Sequence, residues 1–332
     1  EKISYTFSND ATFNGKDSSG SYEIERTNPV GDKMMSWGVY KEWNNAPVDK
    51  RPIVVATVYG RVKNTGDYVE VRKDSNGNCL FPEDDGYGAA QPFTVEFGTE
   101  TDSVWVNLEG LLQKRTKRDK NDPTKLITTE YEYKLKETGY KVNQSASITP
   151  IGDKLYFEYQ NGVYKIEQFY NNHLKNTYTP DIDLTLKKSW KDNVTLGITK
   201  VKVALYYQNE NNQYVPVQKT SDGTYVFNEK DRYGNPVSGN LFGVEEELAS
   251  DGDGNEVHLD KLLPASIVVD NQVWNCKYTL REIGYYDTDN DWHDIDPNAS
   301  DVDTINGYFT ISDPTSTDKS GTLTVTNNGT AD

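Results

Sequence analysis

Apolar and polar residues along this chain fall into short runs of strand type rather than recurring at helical spacing. Val54-Val55-Ala56-Thr57-Val58-Tyr59, Tyr68-Val69-Glu70-Val71, Leu155-Tyr156-Phe157-Glu158-Tyr159 and Leu323-Thr324-Val325 read as strands of half-buried sheets. Turn signals separate them, among them Ser75-Asn76-Gly77-Asn78, Asn161-Gly162, Ser221-Asp222-Gly223 and Asp251-Gly252-Asp253-Gly254. No long stretch carries apolar residues at i, i+3, i+4 and i+7. The pattern predicts an all-β chain built as sandwiches, with one short helical candidate over residues 103–112.

The chain also repeats itself. At an offset of 146, Tyr68, Val69, Val71, Lys73, Ser75, Gly77, Phe81, Glu83, Asp85, Tyr87 and Gly88 fall on identical residues from Tyr214 to Gly234. Lys41-Glu42-Trp43 meets Lys188-Ser189-Trp190 at 147, and Tyr133 to Tyr140 meets Tyr278 to Tyr285 at 145. The order is kept while the offset drifts by single residues, as expected of a tandem duplication. Two domains are therefore expected at 31–179 and 180–332, joined by the short linker Thr179-Pro180-Asp181, which implies a stiff rod. Residues 1–30 lie outside the repeat and are expected to form strands of an extension or of a preceding domain.

Composition narrows the function. Against 52 Asp and Glu stand 35 Lys and Arg, a formal charge of −17, which disfavours nucleic acid and anionic membrane surfaces as partners. Mean hydropathy is −0.79 and no run of 18 apolar residues occurs, so no membrane insertion is expected in this segment. Aromatic residues make up 12% of the chain, with 23 Tyr, and argue against disorder. With 3 His, 2 Cys and 2 Met, the raw material for metal, imidazole or thiol chemistry is scarce. Cys79 and Cys276 form neither a disulfide framework nor a metal pair.

Chemistry is carried instead by a Lys, a Glu and an Asn that recur in each copy: Lys41, Glu137 and Asn176, then Lys188, Glu282 and Asn327. Alternation puts Val39, Lys41 and Trp43 on one face, and Leu184, Leu186, Lys188 and Trp190 on another, both apolar. Glu137 shares a face with Tyr133 and Leu135, Glu282 with Tyr278 and Leu280, and Asn176 with Leu174. Asn327 shares the phase of Val325, which favours it over Asn328, as phase favours Lys188 over Lys187. A Lys facing a core is costly unless it is paired or neutral. Burial lowers the pKa of an amine and raises that of a carboxyl, so the two can meet as neutral groups. A neutral amine is a nucleophile, and a protonated carboxyl can polarise an Asn side-chain amide for attack. The expected product is a Lys–Asn isopeptide bond between first and last strands, with ammonia leaving and no cofactor or metal involved.

Lys-x-Trp followed by Arg51-Pro52 and the alternating strand at Val54, then Tyr-x-Leu-x-Glu-x-Gly-Tyr and a terminal Asn176-Thr177-Tyr178, resembles the Cna B-type domain of sortase-anchored adhesins and pilins of Gram-positive bacteria. The Tyr-x-Leu-x-Glu stretch resembles the pilin E-box. This resemblance covers residues 31–332 and implies immunoglobulin-like sandwiches of reverse topology, self-forming Lys–Asn cross-links, and a place on the cell wall or in a pilus. It implies partners among other domains of the same surface protein and a host matrix or glycan ligand. Both copies are longer than a minimal domain of that family, with inserted loops around residues 86–102 and 233–262. Neither a Leu-Pro-x-Thr-Gly signal nor a Tyr-Pro-Lys motif occurs, so a stalk or adhesin segment is expected rather than a shaft pilin.

Two rival functions have weaker support. A ligand- or carbohydrate-binding adhesin would use aromatic-rich inserted loops, and would show exposed aromatics in one copy that the other lacks. A carbohydrate-active enzyme needs two facing carboxyl groups across a cleft, and no such pair is evident. For single residues the plainer readings are a solvated strand Lys, and a core role for Trp43 and Trp190. Asp251-x-Asp253-x-Asn255 and Asp287-x-Asp289-x-Asp291 begin like calcium loops but lack the Gly and Glu those loops need, so acidic surface turns are expected.

Overall fold

The computed structural model describes residues 2–13, 16–27, 30–191, 197–249, 255–295 and 319–328, with the side chains of most of them. Among these there is no α-helix; the only helical turns are single 3-10 turns at Val48–Lys50 and Tyr87–Ala89. The chain is all-β. Lys2–Phe13 and Lys16–Thr27 pair antiparallel as a separate two-stranded sheet.

In the first unit the Gly31–Asn44 strand lies between Ser103–Arg118, antiparallel, and His173–Pro180, parallel. Gly162–Tyr170 and Tyr156–Glu158 extend this layer. A second layer holds Leu126–Lys141 paired with Ile53–Val62, which also pairs with Thr94–Phe97. The two layers are joined by the far ends of Ser103–Arg118 and Leu126–Lys141, which form a hairpin. That hairpin folds one continuous sheet over on itself, so the inward faces of both layers pack on each other. Val39, Trp43, Val54, Phe97, Leu111, Leu135, Tyr164 and Leu174 fill the space between.

The helical candidate at residues 103–112 is instead the start of the 16-residue strand Ser103–Arg118. Its misleading spacing has a physical cause. The register shifts between Leu108 and Leu111, where Gly110 sits at φ 81°. An extra residue in one strand switches which parity points inward. Leu108, Leu111 and Leu112 are all buried as a result, at spacings that mimic a helix face.

The second unit is built alike. Ile182–Lys191 pairs parallel with Lys319–Asn328 and antiparallel with Glu256–His258. Opposite them, Ile198–Gln208 pairs with Tyr278–Asp287 and with Glu245–Ala249. Leu184, Leu186, Val203, Leu205, Leu248, Leu280 and Leu323 form its core, separate from that of the first unit.

The expected three-residue linker is shorter than its sequence implied. Thr179 and Pro180 close one strand and Ile182 opens the next, leaving Asp181 alone between them. The junction is packed: Asp181 pairs with Arg232 at 2.6 Å, both nearly buried. Tyr156 and Tyr233 stack at 6.0 Å, and Asn271 exchanges hydrogen bonds with Leu155 N and Asp153 O. Both cysteines are free thiols. No helix among the described residues is long and apolar enough to cross a membrane.

Candidate functional site

Strand alternation carries each candidate side chain inward. On Gly31–Asn44, Val39, Lys41 and Trp43 are buried while Tyr40 and Glu42 are not. Lys41 is 0% exposed, Glu137 3% and Asn176 0%. Lys41 and Asn176 come from adjacent parallel strands, where Lys41 faces Leu174 and Asn176 faces Trp43. Glu137 reaches them from the opposite layer, next to the bulge between Glu137 and Gly139.

The three groups converge on one carboxyl. Lys41 Nζ lies 3.5 Å from Glu137 Oε1, and Asn176 Nδ2 donates to Glu137 Oε2 at 3.1 Å. Lys41 Nζ also donates to Glu42 O at 3.1 Å and sits 4.1 Å from the centre of the Trp43 ring. Buried Asn176 Oδ1 has no hydrogen-bond partner. Leaving such an acceptor unmet costs about 1–3 kcal/mol, so a proton on Glu137 would be drawn to it once the amide turned over.

Burial dominates the electrostatics. It lowers the Lys41 pKa to about 8, against the opposing pull of Glu137, and the positive charge of Arg51 adds slightly to the fall. Burial also raises Glu137, against Lys41 and Asn176. Both shifts favour moving the proton from amine to carboxylate, which leaves a neutral nucleophile beside a neutral acid.

The second unit brings Lys188 and Glu282 together in the same way. Lys188 is 0% and Glu282 1% exposed, Nζ to Oε1 is 3.1 Å, and Nζ donates to Ser189 O at 3.1 Å. Burial lowers the Lys188 pKa. Lys188 faces Val325 and Trp190 faces Asn327, so the backbone of Asn327 holds the register that Asn176 holds in the first unit. Asn328 faces Lys191, one step out of phase. The side chains of Asn327, Asn328 and Trp190 lie outside the described ones.

Chemically, such a set can form one amide. Lys Nζ attacks the Asn side-chain carbon, the carboxyl takes the Nζ proton and returns it to the departing nitrogen, and ammonia leaves. Arg51 is a neighbour that sequence reasoning gave no role. It closes this end of the core by donating to Ala46 O at 2.7 Å and Thr99 O at 3.2 Å and by pairing with Asp102. Its place before a buried strand, in the Arg51-Pro52 step of the stretch that carries the resemblance, was its mark in the sequence.

Other candidates have structural explanations. Trp43 is core, edge-on to Tyr164 at 5.6 Å. In the acidic turn after Tyr286, Asp287 Oδ1 accepts from the backbone of Asp289 and Asp291, and Oδ2 meets His293 at 2.8 Å. Residues 251–254 of the other acidic turn lie outside the described ones. Aromatics of the inserted loops are mostly tucked in: Phe93 and Phe97 are core, Tyr87 donates to Glu70 O, and Tyr233 packs at the junction.

No family model matches the chain, and no curated protein matches it. Among solved structures it is similar to the shaft pilin SpaA of Lactobacillus rhamnosus GG, at 11% identity over 90% of this chain and 100% of that one, TM-score 0.21. The major pilin of Streptococcus pyogenes matches at 15% identity over 90% and 98%, TM-score 0.23. Two B repeat units of the collagen binding protein Cna of Staphylococcus aureus match at 14% identity over 99% and 94%, TM-score 0.21. At such scores these likenesses carry no weight for fold or function, which rest on the residues above.

Proposed function

We propose that this chain is a structural stalk or pilus-type segment of a Gram-positive cell-surface protein, made of two tandem Cna B-type sandwiches at 31–179 and 180–332. Each is cross-linked by an intramolecular isopeptide bond, Lys41 to Asn176 and Lys188 to Asn327, promoted by Glu137 and Glu282. The observation that carries this reading is the sealed meeting of amine, carboxyl and amide in the first core, repeated for amine and carboxyl in the second. A surface lysine needs no such setting, and a buried ion pair alone does little for stability.

The bond suits a load-bearing role. It ties the first strand of each unit to the last, so tension passes through a covalent link and leaves most of the sandwich unloaded. Unlike a disulfide it is indifferent to reductants. The reaction occurs once per site, which is self-modification without turnover and not enzymatic catalysis.

Intact mass spectrometry of the folded protein tests the proposal. Two bonds predict a mass short of the sequence mass by two ammonia molecules. Glu137→Ala should restore one and Glu282→Ala the other. A wild-type protein at full sequence mass would refute the cross-links.

A further inference from the structure

The solvent face of the first unit carries a feature unrelated to its core. Trp105, Tyr40 and His173 are direct cross-strand neighbours, and Tyr170 faces His173 from the next strand. Their rings follow one another at 6.0 Å from Trp105 to Tyr40, 4.6 Å from Tyr40 to His173 and 6.4 Å from His173 to Tyr170. Phe169 joins the end of the row, 5.4 Å from His173. Four adjacent strands at about 4.8 Å spacing make a platform about 14 Å long. Its ends are open to solvent: Trp105 is 64%, Phe169 54% and Tyr170 72% exposed.

Gly38 holds Trp105 flat. A Cβ at residue 38 would overlap the indole, so the ring lies against the sheet with its outer face free. An aromatic covering a strand glycine is a known stabilising device. That accounts for Trp105 alone; it does not account for Tyr170 and Phe169 on a strand three places away.

Among the described residues, the second unit has no aromatics at the positions of Tyr40, Trp105 and His173. Lys187 stands at the position of Tyr40, with Glu256 and Thr324 as its cross-strand neighbours in place of Trp105 and His173. Lys187 and Glu256 form an ion pair at 3.3 Å. The fold therefore has no need of aromatics in this row.

We propose that the Trp105–Tyr40–His173–Tyr170 row is a binding site for a neutral oligosaccharide. Sugar rings present apolar C–H faces that stack on aromatic rings and hydroxyls that hydrogen-bond at their edges. The platform supplies both. One step along the strands from the rings, Glu42 pairs with His173 at 3.3 Å and Lys175 at 3.0 Å, which places acceptor and donor groups beside the row. A second copy of this chain is a poor occupant, because each copy carries a charge of −17 and an uncharged glycan meets no such repulsion.

Calorimetric titration of the whole chain with cellohexaose, maltohexaose and the hexamer of N-acetylglucosamine tests this, with the tryptophan indole N–H resonances followed by NMR. At least one sugar should bind and shift a resonance that Trp105→Ala removes. Trp105→Ala and Tyr170→Ala should each weaken binding about tenfold, and Tyr170→Ala should leave the melting temperature unchanged because its ring is exposed. The proposal fails if none of the three sugars binds or if binding survives both substitutions undiminished. It also fails if the face drives concentration-dependent self-association that Tyr170→Ala abolishes.

Discussion

Replacing Lys41 by Met separates a covalent cross-link from a buried ion pair. Met is apolar and of similar length, so it fills the fully buried site without leaving an amine behind. Glu137, whose pKa burial already raises, can stay protonated against Asn176. In the chain-entropy picture, a bond closing a loop of about 135 residues stabilises the fold by about 5 kcal/mol. At about 3 °C per kcal/mol for a unit of this size, the melting temperature of the first unit should fall by ~15 °C. Energy alone does not discriminate, since breaking a buried ion pair costs about 3–5 kcal/mol. The urea dependence does. A cross-link acts on the denatured chain by keeping it compact, so its loss exposes more surface on unfolding and raises the slope of stability against urea. Losing an ion pair lowers the midpoint and leaves the slope alone. Equilibrium urea unfolding of wild type and Lys41→Met, with the second unit as internal reference, should show a lower midpoint and a steeper slope. An unchanged slope, together with equal ammonia deficits in the two proteins, would refute the reasoning.

Two further outcomes follow from the same geometry. Asn176→Ala combined with Glu137→Gln leaves Lys41 as a free amine with no titrating partner, its pKa lowered by burial to about 8 or below in the folded state against 10.5 when unfolded. Between those values the unfolded chain binds more protons, so stability should rise with pH, by on the order of 2 kcal/mol from pH 7.5 to 9.5. Cross-linked wild type should lack this rise, and urea midpoints across that range would reveal a shared slope if the idea is wrong. Gly110→Ala puts a side chain at φ 81° with its Cβ 2.5 Å from Gly77 O. It should destabilise the first unit by about 1–3 kcal/mol in thermal unfolding, and no loss would mean the bulge relaxes freely.

Much of this protein is legible before any coordinates. A side-chain period of two is intrinsic to extended backbone, so the inward phase of Lys41, Glu137 and Asn176 can be read from their apolar neighbours. The internal repeat makes the coincidence of residue types in two places visible. Parity fails where the backbone adds a residue. Gly110 switches the inward face of its strand, and a run of leucines then looks helical although nothing local distinguishes the two.

Tertiary structure decides what depends on register and on approach between layers. That Glu137 lies within 3.5 Å of both Lys41 and Asn176 follows from one sheet folding over, and the carboxyl is 96 positions from the lysine in sequence. The aromatic row is of the same kind. Tyr40, Trp105, Tyr170 and His173 come from four strands, and a slip of one residue in any pairing would scatter their rings between the two faces. Away from bulges, sequence by itself determines which residues face inward; which inward or outward residues meet is set by strand register and layer packing, because those contacts join positions that no local preference connects.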